Sequence, residues 1–267
     1  MQSLFCQIVK NFCQYFLMKG NRLMPEWAKL YWTDVAQAVE TSRIALLPLG
    51  AIEEHGPHMN LGSDWYAVES LTARLAEAAN LLVLPALPYG QVWSLSRFPG
   101  SLSISDQTLV NIIVEIAAGL AQVGIKGLIL MSGHLGNMSA LKTAARRLLE
   151  SYDLPTLFLF YPGLEKICKQ VSETERSRAT IIHADEIETS ILLALAPECV
   201  DMSRAQREYP HYPEDFDYSP LYWDEVSVSG VFGDPTAANQ EKGKIIVEYV
   251  LQQTLRIIQA WRERGGF

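Results

Sequence analysis

The chain of 267 residues has few cysteines, and they are spaced in a way that excludes two common kinds of site. Its four cysteines are scattered along the sequence without a C-x-x-C pair. This spacing excludes a disulfide framework and a zinc–thiolate cluster, and it is typical of the reduced thiols of a cytoplasmic protein. We therefore expect a cytoplasmic location. The four are Cys6, Cys13, Cys168 and Cys199.

Basic residues are also scarce, with 22 Lys and Arg against 30 Asp and Glu and a net charge of −8. No cluster of lysines and arginines offsets this imbalance, so a nucleic-acid surface is not expected. The chain likewise has no apolar run long enough to predict a membrane span. We therefore expect a small-molecule substrate as its partner, with neither nucleic acid nor membrane.

The sequence has no internal repeat, low-complexity tract or linker, and its length suits one large α/β domain, predicted over 24–267. Residues 1–23 are apolar but interrupted by polar side chains such as Lys10, so they predict an extension that is neither a secretory signal nor a membrane span. Because Met18 and Met24 are alternative starts, the extension is either a gene-start artefact or a partner-binding helix.

Short apolar runs alternate with helical patterns along the rest of the chain. This alternation predicts a parallel or mixed sheet covered by helices on both faces. The predicted strands lie at 44–49, 81–85, 127–132 and 154–161, and the predicted helices lie near 65–79, 106–123, 137–151, 186–196 and roughly 236–263.

Histidine is rare, yet two of the five histidines lie in one run, PLGAIEEHGPHMNLGSD at 48–64. Imidazole with carboxylates is the ligand mixture that divalent Zn, Mn or Fe prefers. An isolated E-x-H is more often a polar loop that caps backbone groups, so this reading stays open. The histidines and acids of the run are Glu53, Glu54, His55, His58 and Asp64.

The run follows a predicted strand, and this position predicts how its side chains point. If the chain stays extended, residues two apart share a face. Glu53 and His55 would then point one way and Glu54 the other.

A second predicted strand ends in SGHLGN at 132–137 and is followed by a helical pattern. Gly133 and Gly136 permit a tight turn, and Asn137 is a plausible N-cap. His134 is therefore expected at the carboxyl end of a strand, where open α/β sheets place their ligands.

The motif HADEIETS at 183–190 predicts a loop that opens a helix. Taken singly, His183 is equally well a structural histidine, and Glu188 is equally well a first-turn acid that complements the helix dipole. Found together with the other segments, both are candidates for a metal-dependent active site.

These segments resemble the creatininase (creatinine amidohydrolase) family from about residue 40 to the C-terminus. The resemblance implies an α/β/α sandwich fold with a mostly parallel sheet, a dinuclear site for Zn, Mn or Fe, and a homo-oligomer, usually a hexamer. The matching segments are PLGAIEEHGPHMNLGSD at 48–64, FPGSLSIS at 98–105, SGHLGN at 132–137, HADEIETS at 183–190 and SGVFGDPTAANQEKG at 229–243.

The resemblance also implies roles for individual residues. Asp64 matches the bridging ligand, and His183 matches the catalytic histidine. From its chemistry we expect His183 to deliver a proton to the leaving nitrogen. Asp185 or Glu186 is then expected to orient it, the alternative being solvated acids of the first helical turn. The expected metal ligands are Glu53, His55, Asp64, His134 and Glu188, and the expected substrate contacts are Gly136, Asn137 and Tyr161.

Two departures from creatinine-hydrolysing members disfavour creatinine as the substrate. Those members carry a ligand glutamate where this chain has Gly136, so Glu188 is expected to take its place. They also carry an aromatic residue just ahead of the catalytic histidine, and residues 177–180 offer none.

The predicted function is hydrolysis of a C–N amide bond in a small molecule, a cyclic amide or a formamide. A deformylase-type relative in cofactor biosynthesis and a non-catalytic metal-binding assembly protein are the alternatives. The aromatic, acidic stretch at 207–226 predicts a long loop that is functional or interface-forming. His211 within it is a substrate contact or a surface histidine.

Overall fold

Four strands form one fully parallel sheet in the computed structural model, which describes residues 26–178 and 181–265. The extension predicted for 1–23 lies outside these ranges, and the domain bounds 24–267 stay a prediction. The strands are β1 (Ile44–Leu49), β2 (Leu82–Val83), β3 (Gly127–Ser132) and β4 (Thr156–Phe160), in the order β2-β1-β3-β4.

Strand β2 is shorter than the predicted 81–85. The chain beyond it still follows β1, because the backbone N–H groups of Leu84 and Leu87 donate to carbonyls of β1 at 2.9 and 3.0 Å. Pro85 lies between them and has no N–H, so the regular ladder ends there. By contrast, β1 and β3 are buried at every position, which is why both are continuous apolar runs.

The predicted helices are all found, with ends shifted by a few residues, and the structure adds α1 and α5. The last helix begins at Gln240 because Pro235–Ala237 forms a separate 3-10 turn. Within the described ranges, no helix has the length and apolar character needed to cross a membrane. The helices are α1 (Val35–Thr41), α2 (Ser63–Ala79), α3 (Asp106–Gln122), α4 (Met138–Tyr152), α5 (Leu164–Val171), α6 (Glu186–Leu195) and α7 (Gln240–Gly265).

Short 3-10 turns complete the described elements. They lie at Trp27–Lys29, Trp32–Asp34, Trp93–Leu95, Leu135–Asn137, Pro197–Cys199, Met202–Arg204, Trp223–Glu225 and Pro235–Ala237.

Two separate apolar cores cover the two faces of the sheet. Leu46 of β1 faces one core, which includes side chains of α2, α6 and α7. Its neighbour Leu47 faces the other, which includes side chains of α3 and α4. Burying a leucine of this kind contributes about 1.5–3 kcal/mol, so both faces stabilise the sheet. The α/β/α sandwich with a parallel sheet is confirmed.

The carboxyl edge of the sheet gathers the candidate site residues. The 50–64 segment follows β1, His134 follows β3 and Tyr161 follows β4. Gly133 is required here, because a Cβ at this position would overlap the carbonyl oxygen of Asp64. Glycine therefore lets the start of α2 lie directly on the end of β3, as open α/β sheets arrange their ligand sites.

Candidate metal centre

The carboxylate of Asp64 lies between two histidines that come from different strand ends. Its Oδ1 is 3.3 Å from Nε2 of His55, and its Oδ2 is 3.1 Å from Nδ1 of His134. Asp64 occupies the first turn of α2 and is buried. One buried acid thus faces both imidazoles at once.

Three groups of side chains place nitrogen and oxygen atoms within 4.8 Å of one another, close enough to hold a metal ion. The groups are Glu53, Asp64 and His134; His55, Asp64 and Glu188; and Glu53, His55 and His183. Asp64 belongs to the first two groups, and together these two contain all five predicted ligands.

Two buried carboxylate oxygens at this centre accept no hydrogen bond from the described residues. They are Oε2 of Glu53 and Oδ2 of Asp64, which lie 3.0 and 3.1 Å from Nδ1 of His134. A buried anionic oxygen without a partner is costly. Carboxylate oxygens and imidazole nitrogens converging on one point are the donor set that Zn, Mn and Fe accept, so the residues present fit divalent ions.

The backbone of Gln91 fixes the orientation of the His134 ring. Nε2 of His134 lies 2.7 Å from the carbonyl oxygen of Gln91, and because a carbonyl only accepts, Nε2 must donate. Nδ1 is left facing the carboxylates of Glu53 and Asp64. Metal-binding histidines are commonly oriented by such a bond from the other ring nitrogen.

Charges at the centre offset one another. Burial would lower the pKa of His134, but the nearby carboxylates of Glu53 and Asp64 raise it to about 9. Burial raises the pKa of Glu53 to about 7. Burial would also raise the pKa of Asp64, but His55 and His134 hold it well below its usual range. Without metal, protons on histidines balance the buried acids, and a bound cation would displace them.

His183 lies between two glutamates. Its Nε2 is 3.0 Å from Oε1 of Glu54, and its Nδ1 is 3.4 Å from Oε1 of Glu53. Burial would lower the pKa of His183, but the hydrogen bond and charge of Glu54 raise it above the usual value.

The prediction that Glu54 points the other way from Glu53 is therefore wrong, because both carboxylates lie against the His183 ring. It assumed an extended chain after β1, but the segment forms turns and only isolated pairings, such as Ile52 with Leu102. Two-residue alternation does not hold in such a segment.

Comparison with known proteins shows the family to which the chain belongs. The family model described as creatininase, creatinine amidohydrolase, matches residues 28–258. The chain belongs to the creatininase family. It is accordingly a hydrolase of the amidohydrolase type that acts on C–N bonds, as predicted.

Relatives in the family differ in their named substrates. The creatinine amidohydrolase of Pseudomonas putida is 29% identical over 84% of this chain and 92% of its own length. The mycofactocin precursor peptide peptidase of Mycobacterium tuberculosis is 29% identical over 90% of this chain and 94% of its own. The 3-dehydro-scyllo-inosose hydrolase of Thermotoga maritima is 25% identical over 86% and 81%.

Solved creatininase structures superpose closely on this chain. A creatinine amidohydrolase crystal structure has a TM-score of 0.78 and 28% identity, covering 89% of this chain and 97% of that one. A Zn-Zn form of a creatininase variant has a TM-score of 0.77, again at 28% identity, and covers 90% and 97%. A Mn form has the same TM-score and identity and covers 90% and 98%.

The creatininase motif HADEIETS builds a strained turn in this chain. Ala184 is buried and has a φ of +49°, which is unfavourable for a residue with a Cβ. Its N–H donates to Oε2 of Glu188 at 2.6 Å, and the same oxygen lies 3.7 Å from Nε2 of His55. The turn thereby presents His183 and Glu188 to the same centre.

Neither Asp185 nor Glu186 orients His183, so that prediction is wrong. Oδ1 of Asp185 accepts from the N–H groups of Ile187 and Glu188 at 2.9 Å and caps α6. Glu186 pairs with the buried Lys242 and accepts hydrogen bonds from residues 173 and 174. Both acids hold the start of α6 in place. Asp185 accepts from N–H groups that have no partner within the helix, and Glu186 binds the buried Lys242 ammonium.

Asn137 occupies the N-cap position of α4, as predicted, but its side chain makes no capping hydrogen bond there. Its Oδ1 accepts from the Gln91 N–H at 2.9 Å, and its Nδ2 donates to the Gly50 carbonyl and to Oγ of Ser132. Both amide hydrogens are therefore used within the protein. Asn137 positions the strand ends, and no donor is left for the predicted substrate contact.

Gly136 and Tyr161 border the centre. A Cβ at Gly136 would overlap the His134 ring and lie 2.6 Å from the Gln91 carbonyl oxygen, so no side chain fits there. Tyr161 is buried with a φ of +33° and lines a cavity of about 10 Å³ together with Asp64 and Glu188. That volume holds about one water molecule.

Two aromatic residues beside His183 were not foreseen from the sequence. The His183 ring lies 5.6 Å from Trp223 and 5.7 Å from Phe232, and these two rings lie 4.6 Å apart. Trp223 belongs to the aromatic stretch 207–226, and Phe232 belongs to the family motif SGVFGDP. The long loop thus lies at the site, while His211 is exposed, as a surface histidine would be.

Proposed function

We propose that the chain uses two divalent ions to hydrolyse a C–N bond in a cyclic amide or a formamide. The observation that carries this proposal is the position of Asp64 in two metal-binding groups at once, with one oxygen toward each histidine. A carboxylate placed in this way is suited to bridge two ions, and Zn, Mn and Fe are the candidates.

One ion would be held by Glu53, Asp64 and His134, and the other by His55, Asp64 and Glu188. When bound, such ions lower the pKa of water and polarise an amide carbonyl. The cavity beside Asp64, Glu188 and Tyr161 has room for about one water.

His183 would deliver a proton to the leaving nitrogen. Its Nε2 is engaged by Glu54, so Nδ1 is the ring atom that faces the centre. General acid catalysis of this kind contributes roughly 10²–10⁴ in rate. The third metal-binding group, with Glu53 and His55, offers the competing role of a ligand. His183→Ala separates the two roles. If His183 is a proton donor, the variant loses turnover and keeps its metal. If His183 is a ligand, the variant loses metal together with turnover.

A peptide amide is a second candidate substrate, because the peptidase relative matches over 94% of its length. A deformylase-type substrate is a further candidate within the same chemistry. A metal-binding assembly role would leave the protein without turnover of any amide.

The test uses protein that is first stripped of metal and then reconstituted with Zn or Mn. Its turnover of a panel of compounds is followed by mass spectrometry. The panel contains creatinine and other cyclic amides, formamides and short peptides. We expect hydrolysis of at least one compound, its loss in Asp64→Asn, and no change in Asp215→Asn, an exposed acid of the 207–226 loop. If the fully metal-loaded protein hydrolysed none of these compounds, the proposed hydrolysis would be refuted and the assembly role would remain.

A hexamer in the cytoplasm is part of the proposal. Tyr209 and Tyr218 of the aromatic loop are exposed, and aromatic side chains are enriched at the centres of interfaces. A monomeric mass by light scattering at micromolar concentration would contradict the assembly.

A further inference from the structure

The short turn Trp223–Glu225 presents an indole ring to the metal centre. Trp223 meets the His183 ring edge-on, at an interplanar angle of 74°, and packs against Phe232. Phe232 is fully buried, whereas Trp223 is only partly buried. Of these two rings, Trp223 is therefore the one that can meet a ligand. It also packs on a small apolar cluster of Ala51, Val92 and Leu95.

The turn is held by a clamp on the residue before Trp223. The Tyr222 ring stacks on Trp93 at 4.3 Å, and the Arg97 guanidinium lies 3.6 Å from the Tyr222 ring centroid. Arg97 also pairs with Glu225 at 3.0 Å. Stacking, cation–π attraction and an ion pair thus fix the turn before any ligand arrives, which lowers the ordering cost of binding.

The ligands of the centre differ in how much of each side chain is exposed to solvent. The side chains of His134 and Glu188 are 11% and 17% exposed, whereas those of Glu53 and Asp64 are 1% and 4% exposed. The solvent-facing ligands are therefore Glu188 and His134, and His134 is held by the carbonyl of Gln91. The next residue, Val92, packs in the cluster that contacts Trp223, so the indole lies between the segment that holds His134 and the ring of His183.

We propose that Trp223 is a specificity-determining residue whose indole forms a rigid wall for a planar group next to the scissile C–N bond. The inference rests on the proposed function and adds the substrate class, namely amides carrying an aromatic or conjugated ring. Arg97 is a positioning residue that acts through Tyr222.

Two hydroxamates test the wall, because they share one metal-chelating head group and differ only in the planar ring. The affinities of benzohydroxamate and acetohydroxamate for the Zn-loaded protein are measured by titration calorimetry. The ratio of the two affinities isolates the contribution of the ring.

We expect the wild type to prefer benzohydroxamate. Trp223→Ala should lower the affinity ratio roughly 2- to 10-fold, the range that corresponds to one aromatic pair. Trp223→Phe should restore part of the preference, and Arg97→Ala should lower it. Trp32→Ala, at a highly exposed tryptophan outside the site, should leave it unchanged.

An unchanged ratio in Trp223→Ala overturns the wall. So does an equal loss of both affinities, because that result describes a structural tryptophan. If neither hydroxamate binds the wild type after zinc loading, the proposed metal centre is refuted, and the proposed role of Trp223 is refuted with it. Hydrolysis of amides in the screen above, with an unchanged ratio here, would refute the wall alone.

Discussion

Oε1 of Glu54 lies 3.0 Å from Nε2 of His183, and both side chains are almost completely buried. A carboxylate bonded to one nitrogen of an imidazole fixes the ring and its tautomer. Glu54 thereby decides that Nδ1 of His183 faces the metal-binding groups. It connects the first family motif directly with the fourth.

Replacing Glu54 by glutamine should slow turnover without releasing metal. Glutamine keeps the size but removes the charge that holds the His183 proton. Changes to residues that orient a site histidine typically cost about 10- to 100-fold, so kcat should fall by that amount while metal content stays constant. Glu150→Gln, at an exposed position, is the control. Metal loss in proportion to activity would instead make Glu54 part of the metal site.

Gly136→Ala should disturb the ion held by Glu53, Asp64 and His134. The added methyl would overlap the His134 ring and push it from the Gln91 carbonyl. We expect lower metal occupancy, measured by elemental analysis. Gly136→Glu should not confer creatinine hydrolysis, because its side chain meets the same atoms. Gly119→Ala is the matched control, because a Cβ there meets no atom within 4 Å. Full occupancy in Gly136→Ala would show that His134 is not held as described.

Glu188→Gln should leave about one metal per chain and abolish turnover. The substitution keeps the side-chain size and removes one anion from the group with His55 and Asp64, while the other group keeps its ligands. If Glu188 were only a first-turn acid of α6, its loss would cost about 0.3–1 kcal/mol of stability and nothing else. Elemental analysis with a thermal melt distinguishes the two, and two retained ions with normal turnover would contradict the ligand role.

Glu208→Gln should make the stability of the protein less dependent on pH. Burial would raise the pKa of Glu208, but hydrogen bonds from Ser229, Val228 and Ser227 lower it below its ordinary value. A carboxyl with a lowered pKa stabilises the fold above its unfolded-state value, and this contribution is lost as the pH falls through the folded-state value.

The melting temperature of Glu208→Gln should therefore lie below that of the wild type at pH 7, because hydrogen bonds to a charged group contribute about 1.5–3 kcal/mol. The difference should shrink below pH 4.5, the ordinary pKa of this group. Glu214→Gln, an exposed acid of the same loop, should show no such trend. A difference that is constant with pH would mean that the charge of Glu208 does not matter.

Much of this fold could be predicted because its strands carry their own pattern. β1 and β3 are buried on both faces, so each is a continuous apolar run. β2 is harder to delimit because Pro85 interrupts its ladder, and helix α5 is short enough to escape a periodicity argument. The five predicted ligands meet because strand ends and helix starts share one edge of the sheet.

The residues that surround the ligands could not be predicted in the same way. Glu54 joins His183 through an irregular segment whose path no two-residue alternation describes. Trp223 reaches His183 in a turn that is held because its neighbour Tyr222 packs on Trp93 and Arg97, far away in the sequence. Asp185 lies two residues after His183, which suggests an orienting acid, but its carboxylate caps α6. Long-range packing decides each case.

The number of metal ions per chain tests the central claim most directly. Protein stripped with chelator and reconstituted with Zn or Mn should hold two ions by elemental analysis. Asp64→Asn should fall below one, because both groups lose the same carboxylate. Asp106→Asn, an exposed first-turn acid of α3, should still hold two. Fewer than one ion in the wild type, or two ions in Asp64→Asn, would contradict the shared dinuclear centre.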